Sequence, residues 1–231
     1  MSTLETLQAA IGYTFRDDQL LRQAMVHRSY LNENPDFALG HNERLEYLGD
    51  AVLELVVSDY LYRHYPNPEG DLTNWRASLV NAKSLSEVAK ELDLDEWLML
   101  SRGESKDKAS KARQNIHANA VEAIIGSMYL DGGIEPAATF ITTHILSKLA
   151  HILANELYID PKSKFQEKSQ EIVGITPSYK VLKEWGPDHD KHFLIGIYLN
   201  AEQVATGEGA SKQEAQVAAA FNGLIAKEWQ G

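Results

Sequence analysis

Glu46 and Asp50 lie four residues apart in HNERLEYLGD, residues 41–50, with Glu43 one turn earlier. On a helix the carboxylates would project from one side. The segment from about Asn42 to Tyr65 is apolar almost all round, because Leu45, Leu48, Ala51, Val52, Leu53, Leu55, Val56 and Val57 cover most of a helical circumference. That is the pattern of a buried helix. A second run, from about Ile116 to Leu130, repeats it: Asn119 and Glu122 sit at i and i+3 among Ile116, Ala118, Val121, Ile124 and Ile125, and Gly126 would permit close helix packing. Unpaired carboxylates in such surroundings cost roughly several kcal/mol each unless a cation meets them. Four oxygen ligands, Glu46, Asp50, Asn119 and Glu122, suit a hard cation such as Mg²⁺, with Mn²⁺ able to substitute. The natural chemistry of such a site is two-metal hydrolysis of a phosphodiester. The competing reading is a solvated acidic face matched to Arg44 or Arg76, since acids at i and i+4 are common.

Composition narrows the choices. The chain has 231 residues and no cysteine, which excludes disulfides, thiolate metal sites and cysteine nucleophiles. Any metal must sit on oxygen or imidazole. The first residues lack the features of a signal peptide, and no stretch approaches the length of a membrane span, so a cytoplasmic protein with no membrane partner is expected. The net charge of −11 argues against a nucleic-acid partner, because phosphate binding relies on Lys and Arg. Most of the acidity is N-terminal, however: 14 Lys and Arg face 23 Asp and Glu over residues 1–159, against 8 and 10 over 160–231.

Helical periodicity predicts an all-α first domain, residues 1–158. Its helices would run from Asp17 or Asp18 to about Tyr30, from about Asn42 to Tyr65, from Asp71 or Thr73 to about Leu92, from about Ile116 to Leu130, and from about Glu135 to Asn155. Residues 102–115 read as an exposed charged loop. The pattern changes after Tyr158-Ile159-Asp160-Pro161. Residues 159–231 predict an α-β-β-β-α order: a helix over Ser163–Ile172, strands over Tyr179–Trp185, Phe193–Leu199 and Gln203–Gly207, and an Ala-rich helix from Ser211 to about Trp229. Phe193, Ile195, Ile197 and Leu199 should share one face. Trp75, Trp97, Trp185 and Trp229 read as packing residues.

HNERLEYLGDAVL, residues 41–53, resembles the signature helix of the ribonuclease III family. His27-Arg28-Ser29, Glu69-Gly70, Arg76-Ala77-Ser78-Leu79-Val80 and Ala118-Asn119-Ala120-Val121-Glu122-Ala123 extend the likeness along the chain. The resemblance implies an all-α nuclease domain followed by a small α+β double-stranded RNA-binding domain. It also implies a homodimer that cuts both strands of double-stranded RNA, leaving 5′-phosphates and short 3′ overhangs, with rRNA precursors and structured mRNA as typical substrates. Glu46, Asp50 and Glu122 fall on the metal-binding carboxylates, Asp50 and Glu122 being the catalytic pair, while Glu43 and Glu69 match accessory acidic positions. Many members carry Asp where this chain has Asn119, so weaker metal binding is expected here. The alternative is a protein that binds double-stranded RNA but cuts it poorly.

Residues 161–231 resemble a double-stranded RNA-binding domain, in which the first helix, a loop and the start of the second helix meet the duplex. The likeness assigns RNA contacts to Gln166, and with less force Glu167, to His189 in the turn, and to Ser211 and Lys212 at the second helix. Only Lys212 follows Ser211 where relatives commonly have two or more basic residues, so modest affinity is expected. Lys106, Lys108, Lys111 and Arg113 are further candidates for the RNA backbone, set against the plainer reading of a solvated loop.

Overall fold

The computed structural model describes residues 4–106, 110–187 and 191–229. It divides into two compact units, Met1–Tyr158 and Ile159–Gly231. The first is helical: α1 (Leu4–Ile11), α2 (Asp18–Ala24), α3 (Arg28–Glu33), α4 (Glu43–His64), α5 (Glu69–Val80), α6 (Ala82–Glu91), α7 (Arg102–Lys106), α8 (Lys111–Gly132), α9 (Ile134–His144) and α10 (Leu149–Ala154).

Local chemistry accounts for departures from the expected helices. α1 escaped the sequence reading although its Leu7 and Ile11 are buried. The helix expected to reach Tyr30 stops at Ala24, because the next residues pair with a distant segment: Met99 N–H donates to the Met25 carbonyl and His27 N–H to that of Met99. The run expected between residues 71 and 92 breaks at Asn81, whose side chain caps α6 by accepting from Ser84 N–H at 3.0 Å. The expected loop at 102–115 is largely helical, and Ser110 caps α8 at Arg113 N–H. Arg113 is only 4% exposed and pairs with Asp95, which His117 Nε2 also meets at 2.6 Å. A solvated Arg113 is thereby excluded. The helix expected over 135–155 is interrupted by a 3₁₀ turn, Leu146–Lys148. Contrary to the sequence expectation, residues 134–154 are long and apolar enough to pass for a membrane span. Here Phe140, Ile141, Ile145 and Leu149 pack into the unit's core.

α4 and α8 cross through that core. A methyl group added at Gly49 would overlap the Glu122 carbonyl oxygen and lie 2.9 Å from the Gly126 nitrogen; one added at Gly126 would overlap the Leu45 carbonyl oxygen. Two backbones meet where neither residue has a side chain. α8 is buried along most of its length, whereas α4 is not: Leu45, Val52, Leu53, Val57 and Leu61 face the core, but Leu55 is 62% exposed and Tyr47 and Tyr62 are each 81% exposed. The expected all-round burial of α4 is therefore corrected to one buried face and one apolar exposed face.

The second unit comprises α11 (Pro161–Val173), β1 (Ser178–Trp185), β2 (His192–Leu199), β3 (Glu202–Gly209) and α12 (Lys212–Ala226). The antiparallel sheet has the order β1-β2-β3. Period-two alternation turns Phe193, Ile195, Ile197 and Leu199 inward, where they meet Phe165 of α11 and Ala215, Ala219 and Ala220 of α12. Gly207 of β3 is a packing requirement, since a methyl there would overlap the Ala219 nitrogen of α12.

In a helix interior Gly→Ala ordinarily stabilises by about 1 kcal/mol. At Gly49 the sign should reverse: Gly49→Ala is expected to lower the urea-unfolding free energy of the first unit by about 1–3 kcal/mol through overpacking. An unchanged or raised midpoint would show that the helices do not meet there.

Candidate active site

The Gly49–Gly126 contact sets the site. Glu46 and Asp50 flank Gly49 on α4, and Glu122 lies one turn before Gly126 on α8 with Asn119 just beyond it. Glu122 is half-buried, and its carboxyl is pushed up to about 8, first by burial and then by the charges of Asp50 and Glu46. Glu46 is raised by burial and by Glu43, held back by a hydrogen bond from Asn119, and raised again by Asp50. Among the described residues no positive side chain contributes to either shift. The helices thus bring Glu46, Asp50, Asn119 and Glu122 into one electrostatic environment. Among the described residues, however, no three His, Asp or Glu side chains stand close enough to form a ready-made metal cage.

Glu43 lies at the rim, where Arg28 Nη1 approaches its Oε1 at 3.3 Å and His41 Nδ1 its Oε2 at 3.7 Å. It acts on the site through its charge on Glu46. Glu69 begins α5, is exposed, and accepts from Thr73 Oγ1 at 2.9 Å; none of these contacts ties it to the four. Arg44 is exposed, and Arg76 Nε pairs with Glu54 at 2.8 Å. Neither neutralises the carboxylates, which removes the plain ion-pair reading.

In the second unit Gln166 and Glu167 are exposed on α11, and Lys212 is 58% exposed at the start of α12. Ser211 caps α12, its Oγ accepting from Glu214 N–H at 3.1 Å. His189 and Lys108 lie outside the described residues. Lys106 and Lys111 are exposed, whereas Arg113 is buried. Two residues the sequence reading missed join this surface: Glu184 Oε1 lies 3.3 Å from Lys212 Nζ, and Glu184 Oε2 lies 3.5 Å from Lys191 Nζ. Sequence offers little signal for that pairing, which depends on the hairpin's register.

The Ribonuclease-III-like family pattern matches residues 17–149, and the double-stranded RNA binding motif matches residues 161–225. Ribonuclease 3 of Carboxydothermus hydrogenoformans is 44% identical over 222 residues, covering 96% of this chain and 94% of that relative. Ribonuclease 3 of Protochlamydia amoebophila is also 44% identical, covering 94% and 89%. A structure of the ribonuclease III nuclease domain from Campylobacter jejuni, described by flexibility in a region involved in dimer formation, aligns with a TM-score of 0.55 and 37% identity. That alignment covers 63% of this chain and 97% of the Campylobacter domain. The two matched patterns and the near-full-length relatives agree with the two units of the fold, and the chain belongs to the ribonuclease III family.

Proposed function

We propose that this protein is a homodimeric, Mg²⁺-dependent endoribonuclease that hydrolyses double-stranded RNA on both strands, leaving 5′-phosphates and short 3′ overhangs. The observation that carries the reading is the electrostatic coupling of Glu46, Asp50 and Glu122 across the α4–α8 contact, in a chain that also carries a double-stranded RNA-binding motif. Processing of rRNA precursors and structured mRNA is the proposed role. The cytoplasm, a reducing compartment that suits a cysteine-free chain, is the proposed location.

The donor set suits a divalent cation: its oxygens are hard, and Glu46 and Glu122 are raised first by burial and then by neighbouring negative charge that no positive side chain among the described residues offsets. Glu46, Asp50 and Glu122 would hold Mg²⁺ or Mn²⁺, with the Asn119 carbonyl oxygen as a fourth donor. When bound, the cation supplies a positive field that acidifies water and stabilises charge on the scissile phosphate. The protein orients the donors. The Asn119 amide, as a hydrogen-bond donor, favours the ionised form of Glu46, and Glu122, raised to about 8 in the metal-free chain, would release a proton more readily once a cation is bound. With Asn119 the set carries three formal negative charges instead of four. This lowers the expected cation affinity, and the matches to enzymes named ribonuclease 3 favour cleavage over binding alone.

Dimerisation is supported by the exposed stripe Tyr47, Ala51, Leu55 and Tyr62, which recurs on one side of α4 and gives a soluble monomer no benefit. A second copy offering the same face would form an isologous contact.

Incubation of end-labelled duplex RNA with Mg²⁺ should yield staggered cuts on both strands, and none in EDTA. Asn119→Asp should shift the Mg²⁺ midpoint to lower concentration. Glu122→Ala should cost more than the roughly 10–100-fold typical of groups outside the ligand set. Cleavage without divalent metal, or nicking of one strand only, would contradict the reading.

Glu122 also predicts a pH dependence of stability. Its folded-state value of about 8 exceeds the ordinary carboxyl value of 4.5, so between these limits the folded chain retains a proton that the unfolded chain releases. Stability of the metal-free protein should fall as pH rises from about 4.5 to about 8, and Glu122→Gln should flatten that slope. A wild-type slope matching that of Glu122→Gln would show that Glu122 titrates normally.

A further inference from the structure

The duplex-RNA face proposed for the second unit depends on Lys212, and in the structure Lys212 is already engaged. Glu184, at the end of β1, reaches Lys212 Nζ through Oε1 at 3.3 Å and Lys191 Nζ, just before β2, through Oε2 at 3.5 Å. One carboxylate therefore bridges two ammonium groups from different elements. Hydrogen bonding to Lys212, followed by the charges of Lys212 and Lys191, outweighs desolvation and holds that carboxyl below its usual value. Lys212 Nζ also lies 5.5 Å from the ring centroid of Phe193, the residue opposite Glu184 in the β1–β2 register. Glu214, in the first turn of α12, is turned to the helix's own start, where its Oε2 accepts from Ala210 N–H at 3.2 Å. The start of α12 is thus capped internally, and the three bridged side chains present a net charge of +1 where the lysines alone would present +2.

We infer that Glu184 sets the affinity of this protein for double-stranded RNA by competing with RNA phosphates for Lys191 and Lys212. The inference rests on the reading of Lys212 as a phosphate contact. A duplex phosphate that approaches either lysine must displace the carboxylate, so part of the binding exchanges one anion partner for another. Exposed ion pairs are weak enough for such an exchange. Their effect is a graded reduction of affinity and a shallower dependence on salt.

Filter binding of a labelled RNA duplex to the full chain in EDTA, across a salt series, tests this. Glu184→Gln should tighten binding by about threefold to tenfold, the range for one or two exposed ion pairs. It should also steepen the plot of log affinity against log salt by about one. Glu208 is exposed on β3, in the neighbouring register, and pairs with neither lysine, so Glu208→Gln removes the same charge without opening the bridge. Its effect should be smaller. In a Lys191→Ala/Lys212→Ala background the gain from Glu184→Gln should vanish. Equal gains from the two Gln variants, or a gain that persists without the lysines, would overturn the competition. If removing both lysines leaves wild-type binding unchanged, the phosphate-contact reading itself fails, and the inference with it.

Discussion

The direct contact of two helix backbones at Gly49 and Gly126 is the constraint on which the candidate active site depends. Side chains at these positions would force α4 and α8 apart. Glu46, Asp50 and Glu122 lie about one turn or less from the contact and Asn119 about two turns before Gly126, so the separation and rotation of the two helices govern where these four side chains point. Burial of α8 fixes it from the other side: Ile116, Val121, Ile124 and Ile125 pack in the core, and Arg113 and His117 share the Asp95 carboxylate. A rigid scaffold of this kind lets the protein hold several carboxylates near one another at an electrostatic cost that rigid packing can bear and a loop could not.

That cost is visible in Glu122 and Glu46. Both carboxyls are raised, with burial the largest cause and neighbouring negative charge adding to it. In a purely structural setting such a cluster would be matched by Arg or Lys, as Glu54 is by Arg76 and Asp59 by Arg63. The contrast within one helix separates acids that stabilise the fold from acids that the fold must tolerate.

Much of this organisation was legible in the sequence, for reasons that differ by element. Helical periodicity and the spacing of Glu46, Asp50, Asn119 and Glu122 reported the two key helices, because both depend only on neighbours within a few turns. The strand alternation at Phe193, Ile195, Ile197 and Leu199 was equally local. Breaks near Met25 and Asn81 were missed: one comes from pairing with Met99, far along the chain, and the other from a cap inside a continuous apolar pattern. Arg113 read as solvated because its partner, Asp95, lies 18 residues earlier. α4 read as fully buried because composition cannot distinguish a core face from an exposed apolar one, as Leu55 illustrates. The bridge from Glu184 to Lys191 and Lys212 needed the hairpin register and the placement of α12 together.

The central claim is that the crossing of α4 and α8 creates a divalent-cation site from this particular set of side chains. Anomalous diffraction from crystals of the protein soaked in Mn²⁺ tests it most directly. The account predicts Mn²⁺ between the two helices, bound by oxygens of Glu46, Asp50 and Glu122. Strong Mn²⁺ density confined to other acidic surfaces, with these three carboxylates unliganded at saturating metal, would contradict it.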